Sequence, residues 1–256
     1  MPDYQNQLAQ CLSEQTETIA RYILENGETV WVRKTGKTVP QWRYALLGML
    51  SKIFRLGALQ PVPNLGGKEA LVTEARRLRE LSAAGVPVPI LLAQTDDAIM
   101  FSSVGEHGFM HEIEKVSSQL NAFAEGLRAI AAVHHAGQYL SQAFIRNMIR
   151  QENGGGIAFI DFEDDPAQYM PLIQCQCRDY LCYLQSAATW LERSGNLAPA
   201  VAIWQAHFRS LPAPLQSGLR RNYRSALWLR KLKAQWLGND TRRLSAMAEL
   251  LYQADR

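Results

Sequence analysis

Four polar residues stand in an order that suits phosphoryl transfer: Lys34, Glu74, Asn147 and Asp161. A lysine on a strand can pair with nucleotide phosphates. A glutamate on a following helix can hold that lysine by a charge-assisted hydrogen bond. An asparagine and an aspartate from two neighbouring loops can ligate the metal ions that bridge phosphates. Each residue alone has an ordinary explanation. Lys34 can be a strand-end lysine, Glu74 a solvated ion-pair partner on its own helix, and Asn147 a cap. Asp161 opens the acidic run DFEDD and can be a plain strand-end acid. The signal lies in their order and in the elements that carry them.

Those elements are legible from periodicity. Asn26-Gly27 separates two apolar, β-branched runs, a hairpin signal. In the second run, TVWVRK at 29–34, alternation puts Val30, Val32 and Lys34 on one face and Trp31 and Arg33 on the other. Arg33 competes with Lys34 for the phosphate role but from the opposite face. Residues 68–83 predict an amphipathic helix with Leu71, Ala75, Leu78 and Leu81 in its stripe, closed by Gly85. Residues 90–93 and 98–101 read as strands around the Asp96-Asp97 turn. Upstream, 4–20 reads as a polar helix. Residues 41–56 read as a helix with Leu46, Met49, Leu50, Ile53 and Phe54 at helical spacing, ended by LQPVPNLGG.

After Val104-Gly105 the pattern changes. Residues 111–136 read as helix, 137–156 as an irregular loop and 157–161 as a short strand. From about 170 onward the chain reads as helices broken at Gly195, Pro212 and Gly238. Strands and one long helix thus precede residue 105, and helices follow. The expectation is an α+β fold with two lobes, 1–106 and 107–256, joined near 102–108.

On these segments the chain resembles the protein-kinase-like fold in its atypical bacterial form. TVWVRK resembles the strand bearing the ATP-pairing lysine. EARRLRELSAAGVPVP resembles the helix with the lysine-pairing glutamate, followed by a GVP turn. LRAIAAVHHAGQYLSQAFIRNMI resembles the helix entering a catalytic loop, where a histidine such as His134 or His135 packs and orients that loop. IAFIDFED resembles the metal-binding DFG region, with Glu163 in place of the glycine. Gln142 precedes Asn147 by five residues, the kinase spacing from catalytic Asp to metal-binding Asn, and Asp161 follows Asn147 by fourteen. The resemblance spans about 29–165. It is nearest to the lipopolysaccharide core sugar (heptose or Kdo) kinases, with RIO-type kinases more distant, and it reads 41–66 as a helical insertion.

What the resemblance implies is ATP- and Mg²⁺-dependent phosphoryl transfer. Lys34 and Glu74 would serve the nucleotide, Asn147 and Asp161 the metal, and Gln142 would fill the base position. The implied acceptor is a lipopolysaccharide sugar or other envelope precursor. Two departures stand out. Leu140 and Gln142 replace the His and Asp of the catalytic loop, and no GxGxxG loop precedes Lys34. Glutamine is no general base, so Asp164 or Asp165 is the substitute to examine. A catalytically inactive pseudokinase that binds a partner, lipid or nucleotide is the alternative. A small-molecule kinase of the aminoglycoside or choline type, with an acidic acceptor pocket, is a third reading.

Composition sets the outer bounds. The 256 residues are 47% hydrophobic and 20% charged, which is globular. Net charge is only +3, from 27 Lys+Arg against 24 Asp+Glu, too even for a nucleic-acid binder. The opening MPDYQNQLAQCLSEQ reads as neither signal nor transit peptide, and apolar runs fall short of the roughly 18 residues a span needs. Cys11, Cys175, Cys177 and Cys182 form no CxxC pair, and the expectation is reduced, packed thiols in a cytoplasmic protein. Two basic, apolar stretches, 41–56 and 218–236, suggest peripheral contact with the cytosolic face of the inner membrane. The latter holds Arg220, Arg221, Arg224, Arg230, Lys231 and Lys233 beside Trp228 and Trp236 without an acid. Helices packed on the protein with a basic outer face are the plain alternative.

Overall fold

The computed structural model describes residues 2–36, 62, 66–152, 155–232 and 238–256. The expected helix at 41–56 and insertion at 41–66 lie outside the described residues, apart from Val62 and Gly66. The fold is α+β: small antiparallel sheets and a larger set of helices.

Helix α1 (Tyr4–Glu14) starts where the Asp3 side chain accepts from the Asn6 N–H. It stops at Glu14, short of the expected residue 20, because Gln15 turns extended and the chain enters strand β1 (Ile19–Ile23). Gly27, at φ 81°, makes the turn into β2 (Thr29–Lys34). Strands β3 (Leu91–Gln94) and β4 (Ala98–Ser102) complete a sheet in the order β1-β2-β4-β3. Helix α2 (Gly67–Ala83) matches the expected 68–83 within a residue.

This sheet is covered on both faces. On one, Val30, Val32 and Met100 pack under Leu8 and Cys11 of α1. On the other, Ile99, Phe101 and Trp31 pack toward Leu71, Ala75 and Leu78 of α2. The second core runs on without a break into the helical part.

A three-stranded sheet follows, of β5 (His107–Gly108), β6 (Met148–Arg150) and β7 (Ile157–Phe159), in chain order. The expected loop at 137–156 thus contains a strand. Its three residues pair with β7 through Met148 and Phe159, too short a run to show a period of two. The expected helix at 111–136 is two helices, α3 (Met110–Glu114) and α4 (Gln119–His135). Between them the Ser118 hydroxyl donates to the Glu112 carbonyl at 3.1 Å, local bonding that competes with the helical ladder.

Helices α5 (Leu172–Arg193), α6 (Leu197–Ser210), α7 (Ala213–Arg224) and α8 (Gly238–Ala254) complete the chain. Helices α4 and α5 meet closely: a Cβ at Gly126 would lie 2.3 Å from the Tyr183 hydroxyl. The stretch 218–236 is not one amphipathic helix. α7 ends at Arg224, where Ser225 bonds back to the Asn222 carbonyl. A 3-10 helix (Leu227–Lys231) then packs Leu229 with Ala226 and Ala248. Residues 233–237 lie outside the described residues. All four cysteines are free and buried. Among the described residues, no helix is long and apolar enough to cross a membrane.

Candidate functional site

A cavity of about 430 Å³ lies between the first sheet, α2 and the segments on either side of β6 and β7. Its apolar side is made by Trp31, Phe101, Val104 and Ile149, and its charged side by Arg33, Glu74, Asp161 and Glu163. Asn147 also faces it. Three of the four residues singled out above therefore converge here. Lys34 does not. Its ammonium donates to the Gln15 carbonyl on the α1 side of the sheet.

Arg33 stands where the lysine was expected. Its guanidinium lies 3.0 Å from the Glu74 carboxylate and bonds Glu163 as well. Alternation along β2 was read correctly, but the cavity is served by the other face. The more apolar pair, Val30 and Val32, goes under α1, and that sends Trp31 and Arg33 to the cavity. The polar look of α1 hid the reason, because only Leu8, Cys11 and a few neighbours make its packing stripe.

Three carboxylates crowd this one arginine. Glu74 is 4% exposed. Burial pushes its carboxyl up to about 7, against the pull of Arg33 and with the push of Glu163 and Asp161. Asp161 is raised too, first by burial and then by Glu163, while Arg33, Arg146 and a hydrogen bond from Asn147 work the other way. For Arg33, burial disfavours the charge but Glu74 and Glu163 outweigh it.

The loop bearing Asn147 and Gln142 is held from α5. The Asp179 carboxylate accepts the Leu140 N–H at 2.8 Å and lies 3.0 Å from His134 Nε2. Arg178 donates to the Ser141 carbonyl at 3.0 Å. Asn147 donates to the Gln142 carbonyl at 3.1 Å, which closes the loop on itself. A second set of ties runs to α2. Arg77, fully buried, donates to the Tyr139 carbonyl at 2.7 Å and stacks 3.9 Å over its ring.

Ser141 and Asp161 are the non-glycine residues with positive φ among those described, at 73° and 72°. Such backbone costs about 1–3 kcal/mol each and persists only where surrounding contacts enforce it. Both positions belong to this site.

Gln142 donates its amide to Asp164. Asp164 is 5% exposed, and its second oxygen has no hydrogen-bond partner. Burial pushes this carboxyl up to about 6, eased by Gln142 and Arg178. Asp165 differs. Burial disfavours its charge, but Tyr139 at 2.6 Å and Arg76 hold its carboxyl below the usual range. It is a tie between α2 and the loop, not a free base.

The residues that sequence reasoning passed over are Arg178 and Asp179, both inside an apparently ordinary helix. Their signal was weak: an Arg-Asp pair amid the buried run QCQCRDYLCYL. Magnesium is commonly held by one or two protein oxygens together with phosphates and water. Asn147 and Asp161 supply such a pair, and the surplus of carboxylates over Arg33 favours a cation there. No protein-family model matches the chain, and no curated protein matches it.

Proposed function

We propose that this chain is an ATP- and Mg²⁺-dependent phosphotransferase with a two-lobed, protein-kinase-like arrangement. One observation carries the reading: the Arg33–Glu74 pair, Asn147 and Asp161, far apart in sequence, line one cavity that also has an apolar side. Its volume falls in the usual range for small-molecule sites, roughly 300–1,000 Å³. The nucleotide base would lie against Trp31 and Phe101, and the phosphates would point to Arg33. Asn147 and Asp161 would hold the metal, which when bound neutralises phosphate charge in a loose transition state. Glu74 orients Arg33.

Asp164 is the proton acceptor in this reading, with Gln142 orienting it at the base position. Its carboxyl, pushed up to about 6, would be ionised near neutral pH and still basic enough to take a hydroxyl proton. The acceptor would be a lipopolysaccharide sugar or another envelope precursor, met in the cytoplasm or at the inner-membrane surface.

A second reading is a pseudokinase that binds nucleotide and regulates a partner. The burial of Asp164 favours it, since a hydroxyl must reach within about 3 Å of the base. ADP release separates the two. The enzyme reading expects ADP formation by the wild type, none by Asp161→Asn, and about 10²-fold less by Asp164→Asn. ATP binding without ADP formation on any envelope saccharide would establish the regulator. Absence of ATP binding would overturn both.

A further inference from the structure

A second cavity, of about 440 Å³, lies beside the same loop and is lined by Arg146, Arg193, Arg242 and Arg243. Phe144 and Trp190 form its aromatic walls. Arg146 lies 4.3 Å over the Phe144 ring and Arg193 5.5 Å from the Trp190 ring centre. Stacking of this kind fixes a guanidinium plane and leaves its N–H edge for a ligand.

The charge of this cavity is unbalanced. Arg243 has Asp240 at 3.3 Å, on a carboxylate that is itself largely exposed. Among the described residues, Arg146, Arg193 and Arg242 have no ion-pair partner. Four guanidinium groups around one concavity repel each other, and an anion removes that cost. Arginine forks match the oxygens of phosphate and carboxylate. A helix with a basic outer face would spread such charges over a convex surface. Here the end of α5, the start of α8 and the loop at 144–146 bring them around one hollow.

Its place matters as much as its charge. Arg146 lines this cavity while its neighbour Asn147 lines the first. The charge of Arg146 is felt at Asp161. The Ile145 N–H just before these two residues is fixed to Ser186 Oγ on α5 at 3.1 Å. A ligand anchored here meets the proposed phosphoryl-transfer loop from a second side.

We propose that this cavity is the acceptor site and that the acceptor is a sugar already carrying phosphate or carboxylate. The anion would be gripped by Arg193, Arg242 and Arg146, with the sugar against the loop whose next residue, Asn147, faces the first cavity. The role as acceptor rests on the phosphotransferase reading above, whereas the anion site stands on its own geometry.

The test is equilibrium binding to the full chain without nucleotide. The probes are glucose 6-phosphate, glucuronate, glucose and inorganic phosphate, with vesicles of anionic phospholipid as a separate arm. Expected is saturable binding of glucose 6-phosphate or glucuronate, none of glucose, and weakening with salt. The double variant Arg193→Ala/Arg242→Ala should lose about tenfold or more in affinity. Both side chains are exposed, so its unfolding temperature and its ATP response should match the wild type. No binding of either charged sugar at about 10 mM, a level that corresponds to less than roughly 3 kcal/mol of binding, would overturn the proposal. So would unchanged affinity in the double variant. Vesicle binding that the double variant abolishes, without sugar binding, would assign the arginines to a lipid surface instead. Charged-sugar binding with no ATP binding would leave the anion site standing and remove the phosphotransferase reading.

Discussion

Glu74 and Asp179 are two carboxylates buried almost equally, at 4% and 0% exposure, in surroundings built on opposite plans. Asp179 is met by a backbone N–H and by His134, and no second acid shares its partners. Glu74 shares one arginine with Glu163 and lies within reach of the charge of Asp161. The first arrangement spends one carboxylate oxygen on two partners, leaves the other without one, and fixes residue 140 to α5. The second leaves a surplus of negative charge around a cavity. Bonds made within the protein hold structure; carboxylates crowded on one arginine at a cavity wall leave charge open to a ligand.

The largest effect should come from the region around Asp179. Asp179→Ala strands the Leu140 N–H and His134 in the interior and should cost about 3–5 kcal/mol, measured by urea unfolding. A loss below about 1 kcal/mol would mean that the loop is held elsewhere.

The region around Glu74 should show itself as a pH dependence. The carboxyl of Glu74 is raised from an ordinary 4.5 to about 7, so the folded state binds its proton more tightly than the unfolded state. Its contribution is complete below about pH 4.5 and is lost as pH rises through about 7. Stability should fall by about 3 kcal/mol across that window. Asp164, raised to about 6, adds a fall of the same sign from about pH 4. Glu74→Gln should remove about half of this combined fall and leave the part due to Asp164. Urea midpoints at a series of pH values check this.

Removing the cation sharpens the same contrast. Arg33→Met leaves Glu74 facing two acids alone. It should destabilise by about 1–3 kcal/mol at pH 8, where Glu74 is charged, and by less at pH 5. The smallest effect belongs to the neighbouring position. Lys34→Ala removes only a bond to the Gln15 carbonyl and should change stability by under about 0.5 kcal/mol and nucleotide binding not at all. A variant pair that behaved the other way round would return Lys34 to the cavity.

That reversal marks where the sequence stopped being legible. Alternation named the two faces of β2 correctly, and α2 and the hairpin at Gly27 came out nearly as read. Which face turns to the cavity depends on what covers the other, and α1 covers it with a stripe too sparse to stand out. Glu74, Asn147 and Asp161, singled out by order and spacing, do meet at one cavity. Asp179, Arg178 and the arginine cavity could not be read, because segments far apart in sequence meet there only through tertiary packing. The breaks within 111–136 and 218–236 were missed for a local reason. Serine side chains at 118 and 225 bond backbone carbonyls at these breaks, where the apolar pattern runs on.

The central claim is that the cavity beside Arg33 and Asp161 takes ATP with Mg²⁺. Its most direct test is the thermal unfolding of wild type and Asp161→Asn, each with ATP alone and with ATP plus Mg²⁺. A ligand at about 100 times its dissociation constant stabilises by roughly 2.7 kcal/mol, a rise of about 5–10 °C for a chain of this size. The expected result is a shift of that order in the wild type that needs Mg²⁺ and is lost in Asp161→Asn. No shift in the wild type at about 5 mM ATP with Mg²⁺, or an equal shift in the variant, would contradict it.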